Sequence, residues 1–181
     1  MSEPRRRLAE RIIDESYVQG LSERSMEELR LMREECKEGE NELSFERRLV
    51  QARTDILAAE LQRRTGEAGQ NLMDRLSEIL KPEGGGLAED VPLPSRAPDF
   101  SIPRNVDVPR RRVEEIVGER TLARLPTIQT EEIQGIIQSL KEHERSLSGR
   151  RKRVHDVMDL IQGEVVRRYQ SGEADPTAAL G

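Results

Sequence analysis

The chain has 181 residues, of which 36% are charged, 34% hydrophobic and 2% aromatic, and its net charge is −5. So little bulky apolar material excludes a thick globular core, and the negative net charge argues against a general attraction to DNA. Frequent Glu, Arg and Leu with a period near 3.5 residues instead predict an all-α fold, with long helices paired along a narrow seam.

The same composition bears on the location of the protein. No apolar run approaches the ~20 residues that cross a bilayer, and no apolar signal core follows the basic amino terminus. We therefore expect a cytoplasmic protein without a membrane partner. Cys36 is the single cysteine, which excludes an intramolecular disulfide, and its place in the heptad frame predicts a buried side chain.

The amino-terminal segment, 1–24, carries a short, weakly amphipathic stretch that ends near Gly20. We expect a short helix or turn there that is stable only when docked. Ser25 followed by Glu28 is a capping-box pattern. It predicts the start of the first long helix, which we expect over 25–65.

The segment 66–129 is predicted to connect two long helices. It contains a short amphipathic helix over 71–80, then three glycines and five prolines, so we expect an extended or flexible chain over 82–109. A further short helix is predicted over 109–117.

The second long helix is predicted over 130–170, where Thr130 offers a capping hydroxyl and acidic residues follow in the first turn. The tail, 171–181, is predicted to be loose. An antiparallel hairpin is favoured by economy of connection, although the connector is long enough for a parallel pair as well. The expected architecture is a long antiparallel two-helix coiled coil with short accessory helices and a proline-rich connector.

One polar pattern occurs on both long helices, with the spacing 4, 3, 4, 4, and the second copy lies 104 positions after the first. We call the two copies the signatures. The first consists of Glu40, Ser44, Arg47, Gln51 and Asp55, and the second of Glu144, Ser148, Arg151, His155 and Asp159. Apolar residues at heptad spacing repeat in the same frame, which indicates that the two helices are equivalent. They are Leu29, Cys36, Leu43, Val50 and Leu57, and then Ile133, Leu140, Leu147, Val154 and Ile161.

The signatures border the predicted seam. At about 100° per residue the five positions of one copy span an arc of about 80°, and its middle lies about 80–120° from the heptad residues. Two such faces in a hairpin form one surface with approximate two-fold symmetry. Arg forks bind phosphate or the O6/N7 edge of guanine, and carboxylates accept from the N1–H and N2–H groups of guanine. The alternative is a solvated face of i,i+4 ion pairs, which a single copy would favour and the repetition weakens.

With these motifs the chain resembles the RsiG-type anti-sigma factors of sporulating actinobacteria. Their signature, Glu-x3-Ser-x2-Arg-x3-Gln-x3-Asp, lies on each of two long helices of an antiparallel coiled coil. The resemblance implies that cyclic di-GMP binds across both signatures as a stacked dimer, and that the loaded protein holds a WhiG-class (flagellar-type) sigma factor inactive. It further implies a role in controlling transcription during sporulation.

The first signature matches that pattern in full, and the second departs from it at one position. His155 stands where the family has Gln. Histidine can still make one hydrogen bond, so we expect the site to persist, with a contact at this position that depends on pH.

A second stripe suits a protein partner. Leu31, Phe45, Leu49 and Ile56 lie on the side of the first helix away from the seam. These residues form either a groove for helices of the sigma factor, which the resemblance favours, or the surface on which the amino-terminal segment or the 71–80 helix packs. The basic run 150–153 is similarly either a solvated face or a source of positive potential for phosphates.

Enzymatic activity is not expected. The two histidines and Cys36 have no metal-ligand spacing, and the glycine run lacks the context of a phosphate-binding loop. Carboxylates on exposed helices would have nothing to raise their pKa. One alternative function is a structural or scaffolding coiled coil, homodimeric or not, without a nucleotide ligand, and a third is a general nucleotide or nucleic-acid binder.

Overall fold

A computed structural model of the chain describes residues 7–65 and 102–173. The predicted helix over 71–80, most of the predicted connector and the end of the tail lie outside these residues. Within them the protein is all-helical, with two long helices, α2 (Met26–Thr65) and α5 (Thr130–Ser171), packed antiparallel against each other.

The start of α2 follows the predicted capping box. The Ser25 backbone N–H donates to Glu28 Oε2 at 2.7 Å, and the Glu28 N–H donates to Ser25 Oγ at 3.1 Å. The expected cap of α5 is wrong, because Thr130 is already helical and the preceding residue, Gln129, makes no side-chain cap bond. At the other end, Gly172 closes α5 in the left-handed conformation at φ 76°, which glycine adopts without a Cβ clash.

The heptad residues form the seam between α2 and α5. All ten are buried with at most 1% of their surface exposed, including Cys36. Burial of a Leu, Ile or Val side chain contributes about 1.5–3 kcal/mol, so this single apolar row is the main source of stability for the pair. The seam residues are Leu29, Cys36, Leu43, Val50 and Leu57 on α2, and Ile133, Leu140, Leu147, Val154 and Ile161 on α5.

Both ends of the hairpin are closed by equivalent arginines, Arg64 and Arg168, which lie 104 residues apart. Each guanidinium donates to backbone carbonyls of the 3₁₀ turn that precedes the other long helix. The acceptors are Leu125 and Ile128 for Arg64, and Leu21, Ser22 and Arg24 for Arg168. The two-fold relation between α2 and α5 therefore extends beyond the helices to the turns before them.

Three short α-helices and three 3₁₀ turns complete the described fold, and the α-helices are α1 (Leu8–Ile12), α3 (Asp107–Ile116) and α4 (Glu119–Ala123). The helix α1 packs on α2 and also touches α5, and Ile12 at its end is completely buried. A glycine at position 39 permits this close approach, because a Cβ there would lie 2.7 Å from Ile12 Cδ1 and the Ile12 side chain would have to shift.

The helix α3 starts earlier than its sequence predicted. Its first residue is Asp107 rather than Pro109, so the last residues of the predicted extended connector are helical. Proline is tolerated there because the N–H groups of a first helical turn have no intrahelical acceptor. Both Pro109 and Val113 are buried, and α3 packs on α2 beside α1.

Candidate functional site

The two signatures lie on one side of the seam and pair reciprocally across it. Arg151 on α5 donates to Glu40 Oε1 on α2 from Nε at 3.0 Å and from Nη2 at 2.8 Å. In the equivalent contact, Arg47 Nε on α2 donates to Glu144 Oε1 on α5 at 3.3 Å. The two-fold axis relates these two pairs to each other and therefore passes midway between them, at the level of Leu43.

Other signature side chains also contact the carboxylates of Glu40 and Glu144, but the contacts of the two signatures differ. Ser44 Oγ donates to Glu40 at 2.6 Å, and Gln51 Nε2 donates to Glu144 at 2.7 Å. His155 Nε2 lies 3.7 Å from Glu40 Oε1, which is too far for a hydrogen bond. The substitution of His for Gln thus leaves the second signature with the weaker cross-seam contact at this position.

The aspartates close the signatures at their outer ends. Asp55 is eight residues beyond Arg47, or about 12 Å along the helix, and Asp159 stands in the same relation to Arg151. Both aspartates are exposed. The structure therefore brings the Glu, Arg and Gln or His positions of the signatures together near the axis, while the two aspartates flank them.

The predicted partner stripe is only partly exposed. Leu31 keeps 61% of its surface exposed and Ile56 keeps 47%, whereas Phe45 and Leu49 are half-buried. Leu49 packs against the buried core, and the Arg48 guanidinium lies 5.9 Å from the centre of the Phe45 ring. The stripe lies on the outer face of α2, away from the seam, whereas the signatures border the seam.

The predicted basic run has mixed surroundings. Arg151 belongs to the signature, and Arg150 Nη1 lies 3.8 Å from Glu10 of α1. Lys152 and Arg153 are exposed.

A buried polar cluster on the side of the seam opposite the signatures was not predicted. Glu46 is completely buried and bonded to Arg7 Nη2 at 2.6 Å and to His143 Nε2 at 2.7 Å. Burial would raise the pKa of Glu46, but the hydrogen bonds from His143 and Arg7 lower it below its ordinary value. Near it, burial raises the pKa of Glu42, against the opposing effect of a hydrogen bond from Asn105. The expectation that the helix carboxylates are exposed is thus wrong for Glu42 and Glu46, which are both buried.

One signal in the sequence could have indicated this cluster. Equivalent positions of the two long helices are 104 residues apart, and on this side of the seam they differ. Gly39 of α2 corresponds to His143 of α5, and Glu46 corresponds to Arg150. A glycine and a reversal of charge, within helices that share the signatures and the heptad row, mark the place where α1 packs mainly on α2.

The described residues offer no metal centre: within 7–65 and 102–173 no group of three His, Cys, Asp or Glu side chains could hold a metal ion. Across the same residues, every helix is too polar or too short to span a bilayer.

The fold and the site together define an all-helical hairpin protein with two equivalent polar signatures on a shared surface. The model of the family described as RsiG-like matches the chain over residues 15–80 and 119–180. The two matched regions begin 104 residues apart, which is the spacing of the signatures. This chain belongs to the RsiG-like family, a regulatory rather than a catalytic one. None of the curated proteins matches it.

Proposed function

We propose that the protein is an anti-sigma factor that binds cyclic di-GMP on its two signatures and holds a WhiG-class, flagellar-type sigma factor inactive, and so controls the transcription of sporulation genes. The observation that carries this proposal is the reciprocal pairing of Arg47 with Glu144 and of Arg151 with Glu40. Membership in the RsiG-like family supports it.

The paired side chains suit a two-fold guanine nucleotide. A guanidinium has five N–H donors, so an arginine oriented by one carboxylate still has donors for a phosphate or for guanine O6 and N7. The carboxylates of Glu40 and Glu144, and of Asp55 and Asp159 further out, can accept from guanine N1–H and N2–H. Because the two half-sites are related by a two-fold axis, a ligand with the same symmetry can satisfy both at once.

The remaining signature residues complete the two half-sites. Ser44 and Gln51 are already bonded to the carboxylates that would meet the base, and Ser148 is exposed beside them. His155 is half-buried beside Glu40 and can make one further hydrogen bond.

The sigma factor would be held in two ways. Leu31 and Ile56 offer exposed apolar surface, with Phe45 and Leu49 beside them in the same stripe. Because this stripe lies on the outer face of α2 and the signatures border the seam, a partner that touches both the stripe and the nucleotide must reach around α2. A nucleotide that binds only the complex would then stabilise that complex by mass action.

The test is calorimetry of cyclic di-GMP with the full-length protein, alone and mixed with a purified flagellar-type sigma factor. We expect binding at micromolar concentration or below in the mixture, and nucleotide-dependent formation of the complex in size-exclusion chromatography. Cyclic di-AMP is the control, because adenine lacks the N1–H and N2–H groups that would donate hydrogen bonds to the carboxylates. If cyclic di-GMP binds in neither case, the proposal is wrong and the protein is better described as a scaffolding coiled coil.

A further inference from the structure

The signatures alone have the wrong charge for the ligand that we propose. They contain four carboxylates and two guanidinium groups, which gives a net charge of −2 with His155 neutral. A cyclic dinucleotide carries two phosphodiester charges of its own, so the signatures alone would repel it. Cations outside the signatures must therefore offset the charge of this surface.

Two lysines, Lys37 and Lys141, lie where such cations are needed. They are 104 residues apart, and each precedes the glutamate of its signature, Glu40 or Glu144, by three positions. On the helical wheel Lys37 lies about 120° from Leu43 of the seam. Asp55 of the first signature lies at the same angle, so Lys37 belongs to the arc of that signature.

The antiparallel register brings each lysine to the other helix's signature. At 1.5 Å per residue, Lys37 lies about 9 Å from the two-fold axis along the helix direction. On that side of the axis, Arg151 lies at about 6 Å and His155 at about 12 Å, since α5 runs the opposite way. Lys37 therefore lies across the seam, at a level between these two residues.

The two-fold relation gives the second lysine the same surroundings. Lys141 lies across the seam at a level between Arg47 and Gln51. Each half-site then consists of an arginine, a Gln or His and an aspartate from one helix, with a glutamate and a lysine from the other.

Both lysines are accessible. Lys141 is exposed, and half of the Lys37 side chain is exposed, with Nζ 2.6 Å from Glu34 Oε1. An exposed i,i+3 ion pair of this kind contributes at most about 1 kcal/mol, so a phosphate can displace the carboxylate at little cost. The ammonium is a compact charge on a flexible stem, which allows it to follow a phosphate that the helix geometry does not fix.

We propose that Lys37 and Lys141 are phosphate-binding residues of the nucleotide site, one in each half-site. This inference rests on the proposed function. The two lysines carry two positive charges, equal and opposite to the net charge of the signatures. The half-buried Arg48 and the exposed Lys152, which are also 104 residues apart, raise the charge at its outer edge further.

The test compares Lys37→Gln, Lys141→Gln and the double variant with the wild type, by calorimetry of cyclic di-GMP in the presence of the sigma factor. At low salt we expect each single change to weaken binding about threefold and the double change about tenfold. In about 0.5 M salt these differences should largely disappear, because exposed charges are screened. Lys37→Arg and Lys141→Arg, which keep the charge, should bind as the wild type does.

The matched control is Arg111→Gln, which removes one positive charge from an exposed position on α3. Since α3 packs on the side of the hairpin opposite the signatures, this variant should bind within about twofold of the wild type. If the wild type binds the nucleotide and the double lysine variant binds equally well at low salt, the lysine assignment is wrong while the proposed function stands. If the wild type does not bind, both fall together.

Discussion

The two sides of the helical hairpin differ in how far they keep the two-fold relation between α2 and α5. On the signature side the contacts repeat across the axis, with Arg151 on Glu40 and Arg47 on Glu144. On the opposite side the relation breaks, because α1 packs at Gly39 and Arg7 bonds to Glu46, whereas the equivalent positions of α5 carry a histidine and an arginine. A symmetric ligand would need symmetry only on the side that it touches, so a segment docked on the other side would not disturb its binding.

The largest expected effect comes from the asymmetric side. Glu46→Leu should lower the free energy of unfolding by about 3 kcal/mol, since it leaves the buried Arg7 guanidinium without its counter-charge. The matched change at the equivalent position, Arg150→Leu, should cost less than about 1 kcal/mol, because its ion pair with Glu10 is long and partly exposed. Urea unfolding followed by circular dichroism measures both. Equal losses would contradict the asymmetry of this side.

The ends of the hairpin should behave symmetrically. Arg64→Ala and Arg168→Ala each remove charge-assisted hydrogen bonds to the turn before the other helix, and each should cost about 2 kcal/mol. The carboxylates that hold these arginines are also equivalent: hydrogen bonds from the neighbouring arginines lower the pKa of Glu60 and of Glu164 to about 2. Thermal unfolding of the two variants provides the comparison, and a loss confined to one of them would show that the ends are not equivalent.

The smallest expected effect concerns the glycine under α1. Gly39→Ala should destabilise the protein by about 1 kcal/mol, because the new methyl group must displace the buried Ile12 side chain and this cost exceeds the gain in helix propensity. Gly149→Ala is the control, since nothing lies within 4 Å of the position that a Cβ would take there, and it should stabilise the protein by up to about 1 kcal/mol. Unfolding midpoints that rise for both variants would contradict the close approach of α1.

Much of the fold followed from the sequence because it depends on local periodicity. The heptad row from Leu29 to Leu57 and its copy on α5 predicted the seam, and Ser25 with Glu28 predicted the start of α2. The antiparallel direction was inferred only from the economy of connection, since heptads alone allow either direction.

What could not be predicted depends on contacts between segments far apart in the chain. The buried state of Glu46 is decided by Arg7 and His143, which lie 39 and 97 residues away. The same reasoning applies to Thr130: its hydroxyl accepts from Arg64 Nη1 at 3.3 Å, a contact with the end of α2, rather than capping its own helix. Local spacing carries no information on such partners.

The pairing of the two signatures was the part of the site that the sequence predicted only in outline. The arc of the wheel placed both polar faces beside the seam, but it could not say that each arginine would bond to the glutamate of the other helix. Whether these residues bind cyclic di-GMP stays a prediction.

The central claim is that the two helices supply equivalent halves of one nucleotide site. It is tested most directly by calorimetry of cyclic di-GMP, in the presence of the sigma factor, with Arg47→Ala and Arg151→Ala measured separately. Each change removes a guanidinium at the same place in its half-site, so each should weaken binding by a similar factor, about ten- to a hundredfold. A variant at either position that binds as tightly as the wild type would contradict the claim.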